Sequence, residues 1–161
     1  MSELAAGDLM PAFDLPTDGG GSISSAALAG RPYVLYLYPK DDTSGCTKEA
    51  LGFTEKKAEF AAAGVPVIGL SKDDVASHDK FKKKHALDLV LASDVEGKLV
   101  EALGAWVEKS MYGKAYMGID RCTFLVDAEG RIVRVWRKVK VPGHVEEVLA
   151  AASSLGGAKA A

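Results

Sequence analysis

The chain has 161 residues, 48% of them hydrophobic, which suits one compact domain over 1–161 with a single core. With 20 basic against 22 acidic residues the net charge is −2, so no global field draws nucleic acid or an anionic membrane to it. No run approaches the ~18 apolar residues of a membrane span, the N-terminus lacks a secretory pattern, and two cysteines are too few for a disulfide scaffold; a reducing, cytoplasmic location is expected.

Taken in order, the sequence predicts a short strand at 13–15, then a turn over Thr17-Asp18-Gly19-Gly20-Gly21-Ser22, where three successive glycines exclude an element interior. Residues 23–28 give a loop or short second element, punctuated by Gly30-Arg31-Pro32. Residues 33–38 form a continuous apolar and aromatic run suited to a central buried strand, and Pro39 stops it because proline cannot donate to the ladder. Good helix formers fill 46–63, with Ala50, Phe53, Phe60 and Ala61 as an inward stripe, until Gly64-Val65-Pro66 ends the helix. A second buried strand is expected at 67–70 and a helix at 74–85, whose run Lys80-Phe81-Lys82-Lys83-Lys84-His85 reads as its solvated face. A short strand at 89–91, a helix at 95–105 capped by Asp94, a hairpin of 119–126 with 131–136, a closing helix at 143–155 and a frayed tail at 156–161 complete the chain. Strands alternating with helices imply parallel pairing, and the late hairpin makes the sheet mixed. The order is that of an α/β, thioredoxin-like fold: a central mixed β-sheet flanked by helices, preceded by an N-terminal β-hairpin.

Cys46 lies between the expected central strand and the start of the following helix, in a polar segment. Unpaired N–H groups in a helix's first turn carry partial positive charge, so a sulfur there is stabilised as the thiolate, the form that attacks. The chain has no Asn or Gln, which removes the Cys-His-Asn form of a thiol protease, and no Cys-x-x-Cys, which counts against a dithiol carrier or isomerase. His78, His85 and His144 have no partner at metal-ligand spacing, so surface or capping roles are expected and no metal or cofactor is implied.

The stretch Tyr38-Pro39-Lys40-Asp41-Asp42-Thr43-Ser44-Gly45-Cys46-Thr47-Lys48-Glu49 contains Pro-x-x-x-Thr-x-x-Cys and resembles the active-site signature of peroxiredoxins, in the form of the bacterioferritin comigratory protein (PrxQ) branch. Gly7-Asp8 to Leu15-Pro16 resembles the family's opening hairpin, Trp106 to Gly113 its loop before the late strands, and Gly118 to Asp127 its arginine-bearing strand. The resemblance implies the thioredoxin-like fold, a monomer, and a thiol peroxidase. Thr43 would place a hydroxyl beside sulfur and peroxide, and Pro39 would shield the thiolate from water. Arg121 would give a permanently charged planar donor to sulfur and peroxide oxygens, and strand alternation would put Ile119, Arg121, Thr123 and Leu125 on one face. Glu49, one helical turn after Cys46, would orient Arg121, and the N–H groups of Gly45 and Cys46 would assist at the departing oxygen. Ionisation alone does not make an efficient peroxidase, because nucleophilicity falls as a thiol becomes more acidic; orientation and charge stabilisation must supply the rest. Trp106, Tyr112 and Met117 would either collar the site or simply pack.

Attack on a peroxide oxygen would leave a sulfenic acid on Cys46. Many chains resembling this one carry a resolving cysteine five residues later, where this one has Leu51. Cys122 is directed to the face opposite Arg121 and is read as a small core-filling thiol. A one-cysteine cycle follows, with the sulfenic acid reduced by an external thiol, thioredoxin or glutaredoxin/glutathione. The competing reading is a redox sensor or relay that oxidises at Cys46 and turns over slowly. Ser44, where the family often has proline, removes no reacting group.

Overall fold

The computed structural model describes residues 4–160, with side chains to 155. Asp14–Pro16 (β1) and Ser22–Ser24 (β2) pair antiparallel across a 3-10 turn at Asp18–Gly20. After a short helix, Ser25–Leu28 (α1), come Tyr33–Leu37 (β3), Ser44–Glu55 (α2), Lys57–Ala62 (α3), Val67–Ser71 (β4), Val75–His85 (α4), Val90–Ser93 (β5) and Lys98–Ala102 (α5). The chain then makes a second hairpin, Trp106–Met111 (β6) with Lys114–Ile119 (β7), and returns as Cys122–Val126 (β8), Ile132–Trp136 (β9) and His144–Ala160 (α6).

The central sheet has the order β5-β4-β3-β8-β9. β3, β4 and β5 run parallel, while β8 is antiparallel to β3 and β9 to β8, so the expected mixed sheet is present. All five residues of β3 and all five of β8 are buried, which is why both read as apolar runs. Period-2 alternation sends Leu35, Leu37, Cys122, Phe124 and Val126 into one core layer with Ile68, Leu99 and Ile119. Val34, Tyr36, Leu125 and Cys46 face the other layer with Phe53, Phe60 and Val148.

Several expectations change in detail. The helix expected over 46–63 is two helices, broken at Lys56 (φ −95°, ψ 7°). The helix expected at 95–105 is shortened to Lys98–Ala102; Asp94 still serves its start, its Oδ2 accepting the Val100 N–H at 2.8 Å. The segment from Trp106 expected as a loop is strand β6. The arginine-bearing strand expected at 119–126 is interrupted: β7 ends at Ile119, β8 starts at Cys122, and Asp120 and Arg121 lie between. That break explains why Ile119 packs in the layer opposite Leu125, where uninterrupted alternation would have put them together. Backbone of α6 is helical to Ala160, where a tail had been expected to fray from 156; the side chains of 156–160 and residue 161 lie outside the described residues.

The basic run of α4 is solvated but partly neutralised. Lys82 pairs with Asp18, and Lys84 and His85 with Asp42, at 2.7, 2.7 and 2.8 Å. No helix among the described residues is long and apolar enough to cross a membrane.

Gly69 in β4 has no room for a side chain. A Cβ there would stand 2.9 Å from both Leu91 Cδ2 and the Tyr36 hydroxyl, each on a neighbouring strand of the buried sheet. Gly69→Ala is therefore expected to lower stability by about 1–3 kcal/mol through overpacking, read as a lower urea midpoint with unchanged slope.

Candidate active site

α2 begins right after the buried strand β3 and the loop 38–43, with Thr43 as its N-cap residue. The first helical bond runs from the Thr47 N–H to the Thr43 carbonyl at 2.8 Å. The N–H groups of Ser44, Gly45 and Cys46 therefore stand at the helix end without a helical acceptor. Cys46 is 1% exposed, while its neighbours Thr43 and Ser44 are exposed and Gly45 is half-buried. Approach to the sulfur is thus from the N-terminal end of α2.

Arg121, in the break between β7 and β8, reaches that end. Its Nη2 donates to Cys46 Sγ at 3.3 Å and its Nη1 donates to Glu49 Oε1 at 2.6 Å. One planar guanidinium thus spans the sulfur and the carboxylate one turn further along the helix. Gly45 makes the approach possible: a Cβ there would lie 3.1 Å from Arg121 Nη2. Pro39 is half-buried at the end of β3. Thr43 donates its hydroxyl to the Lys40 carbonyl at 2.9 Å, a bond that closes the loop rather than one to the sulfur.

Glu49 is fully buried. Burial pushes its carboxyl up to about 7, with the Arg121 charge and hydrogen bond pulling against that without outweighing it. Oε1 accepts from Arg121, so the proton belongs on Oε2, a buried atom with no hydrogen-bond partner among the described residues. His144 Nε2 lies 4.0 Å from Oε2 and 2.8 Å from Thr123 Oγ1. Burial, assisted by the charges of Arg121 and Arg134, pushes His144 down to about 4 against Glu147 and Glu146, so the imidazole is neutral beside Glu49 at pH 7.

Sequence reasoning missed this inner layer. His78 and His144 are 0% and 4% exposed, so the expectation of surface or capping roles is corrected for both: each is a core group held by polar partners from distant elements. His85 alone stays near the surface, against Asp42. Lys109 of β6 is a further neighbour, held below the ordinary lysine value by burial and by Arg121, with Asp120 and Cys46 opposing. Tyr112 is 97% exposed at the β6–β7 turn and belongs to no collar, whereas Trp106 lies under the Lys72 ammonium, 3.9 Å from its ring centroid. Cys122 is in the opposite core layer from Cys46, and no disulfide joins them.

The AhpC/TSA family model matches residues 6–135. This chain belongs to the AhpC/TSA family, in its peroxiredoxin Bcp/Q branch. It is 46% identical to the Bacillus subtilis peroxiredoxin Bcp over 143 residues, covering 89% of this chain and 91% of that one. The Xanthomonas campestris bacterioferritin comigratory protein, solved with trapped intermediate and ligand complexes, superposes with a TM-score of 0.85 at 44% identity over 89% of this chain and 92% of that one. A Xylella fastidiosa PrxQ mutant superposes with a TM-score of 0.90 at 37% identity, covering 96% and 98%. Such neighbours make the thioredoxin-like peroxiredoxin fold and a thiol-dependent peroxidase activity properties of this chain. In this peroxiredoxin the arginine, the sulfur and the buried glutamate are one unit.

Two outcomes test that unit. Gly45→Ala is expected to displace the guanidinium and slow Cys46 oxidation by about tenfold in stopped-flow peroxide mixing, with the circular dichroism spectrum unchanged. Glu49 holds its proton up to about 7 in the fold, whereas an ordinary glutamate in the unfolded chain holds it only to 4.5. As pH falls from about 7 toward 4.5 the wild type should therefore gain stability relative to Glu49→Gln, by ~3 kcal/mol in all, measured by urea unfolding at several pH values.

Proposed function

We propose that this chain reduces hydrogen peroxide or organic hydroperoxides by a one-cysteine cycle. The Cys46 thiolate attacks the terminal peroxide oxygen; the S–O bond forms as the O–O bond breaks, the sulfur is oxidised to a sulfenic acid, and the departing alkoxide or hydroxide takes up a proton to leave as alcohol or water. An external thiol then displaces water from the sulfenic acid to give a mixed disulfide, and a second thiol equivalent releases Cys46 and carries off the disulfide. The observation that carries this reading is the Arg121 Nη2 contact with Cys46 Sγ at 3.3 Å, fixed from behind by Glu49.

In this reading Arg121 and the N–H groups of Gly45 and Cys46 stabilise the oxygen that gains charge. Thr43, while donating its hydroxyl proton to Lys40, offers the oxygen's lone pairs to the O–H of the incoming peroxide, Pro39 keeps water from the sulfur, and Glu49 orients the guanidinium. Organic hydroperoxides are included because the Xanthomonas campestris relative is described by its alkyl peroxide reduction activity. Thioredoxin, or a glutaredoxin/glutathione pair, supplies the reducing thiol in the cytoplasm, and the working unit is a monomer. The placement of Cys122 in the opposite core layer and of Leu51 in α2 supports an external rather than internal resolving thiol. The 1% exposure of Cys46 favours a second reading, a slow-turnover redox relay.

Cys46→Ser should abolish peroxide reduction, and Cys122→Ser should leave the rate of Cys46 oxidation within about twofold. Non-reducing mass analysis after one equivalent of peroxide should find a sulfenic acid or its adduct; a bridge between Cys46 and Cys122 would sink the one-cysteine cycle. Steady-state recycling by thioredoxin separates the peroxidase from the relay, which would stop after one turnover.

A further inference from the structure

On the far side of the loop that leads into α2 lies a second buried acid–base pair. Asp41 Oδ2 and His78 Nδ1 are 2.7 Å apart, with side chains 3% and 0% exposed. The other ring nitrogen of His78, Nε2, lies 2.9 Å from the Ala92 carbonyl oxygen of β5. Both ring nitrogens thus face acceptors. A neutral imidazole has one N–H and would set lone pair against lone pair at one end, whereas the imidazolium satisfies both ends. Asp41 behaves as a full acceptor, taking hydrogen bonds from the Tyr38 hydroxyl at 2.5 Å and the Ser77 hydroxyl at 2.8 Å as well.

The charged and polar groups facing His78 come from each element around it: Asp41 and Tyr38 from the end of β3 and its loop, Asp73 from the connection before α4, Ser77 from α4 itself, and the Ala92 carbonyl from β5. Burial works against the charge, and Asp41, the Ala92 carbonyl and Asp73 outweigh it, leaving the ring above the ordinary histidine value. The same loop is tied down at neighbouring points. The Asp41 N–H donates to Asp73 Oδ2 at 2.8 Å, and Asp42, at φ 61° in the left-handed region, is held by Lys84 and His85 of α4. Next in the chain, Thr43 closes onto Lys40 and opens α2.

We infer that His78, held as an imidazolium between Asp41 and the Ala92 carbonyl, is a positioning residue for peroxide reduction: it fixes the loop 39–43 and so the end of α2 that presents Thr43 and Cys46. This role rests on the peroxidase reading of Cys46. Because the ring holds its proton more tightly in the fold, the clamp acts in full below the ordinary value of 6.5 and is lost as pH rises through the higher folded value.

The test follows the His78 ring nitrogens by 15N NMR in the full chain from about pH 6 to 10, alongside the rate of Cys46 oxidation by hydrogen peroxide, with Asp41 and the loop otherwise intact. Two protonated ring nitrogens at pH 6, and a rate that falls as the ring titrates, support the role. In His78→Gln the rate constant should drop by about ten- to a hundredfold and the fall that tracked the ring should disappear. A singly protonated ring at pH 6, or a folded His78→Gln oxidised within about twofold of wild type, overturns it. If that variant does not fold, the wild-type pair of curves decides, a rate that is flat across the ring titration overturning the role. A wild type whose ring is doubly protonated but whose Cys46 never reacts with peroxide overturns the peroxidase reading instead, and this role with it.

Discussion

The shared guanidinium of Arg121 is the constraint around which the site is arranged. A charge that touches a sulfur at 3.3 Å and a carboxylate at 2.6 Å cannot be moved to improve one contact without loosening the other. The geometry fixes three things at once: the helical phase of Cys46 and Glu49, the absence of a side chain at Gly45, and the strand break that delivers Arg121. Each is a local cost. A glycine in the first helical turn, a buried carboxyl group and an interrupted strand are all unfavourable alone, and here they come together to seat one guanidinium between a sulfur and a carboxyl.

The polar atoms beneath the site differ from those at its rim. At the rim, Thr43 is exposed and the first N–H groups of α2 and the partly exposed Arg121 stand toward the solvent side. Beneath, Glu49, His144 and Thr123 form a buried layer flanked by Phe53 and Trp136, whose rings stand edge-on to His144 at 6.5 and 5.8 Å. A low-dielectric backing strengthens the hold of Glu49 on Arg121 while raising the penalty for the glutamate's own charge, so the same burial both rigidifies the arginine and makes its anchor protonatable near neutrality.

Much of this was readable in the amino-acid order. The fully buried β3 and β8 announced themselves as apolar runs, Pro39 marked the end of β3, and the polar stretch that runs from there into the first turns of α2 singled out Thr43, Cys46 and Glu49. What could not be read was long-range. The successive charges Asp120 and Arg121 interrupt the apolar run from Ile119 to Val126, but what turns them into a break is long-range: β7 pairs with β6 while β8 pairs with β3. The histidines were misjudged for the same reason. His78 owes its burial to Asp41, 37 residues earlier, and Ala92, 14 later, and His144 to Thr123, 21 earlier. A lone histidine carries no local mark of such partners.

The central sheet separates two sulfurs, Cys46 in one core layer and Cys122 in the other. On a cycle without an internal partner, that partition turns every turnover into a contest between two diffusional encounters at the same atom. A reducing thiol arriving first caps the sulfur as a mixed disulfide, which a second thiol returns to the starting state; another peroxide arriving first carries the sulfur on to the sulfinic level, from which ordinary thiols do not retrieve it. The lifetime of each molecule is then set by the ratio of oxidant to reductant around it.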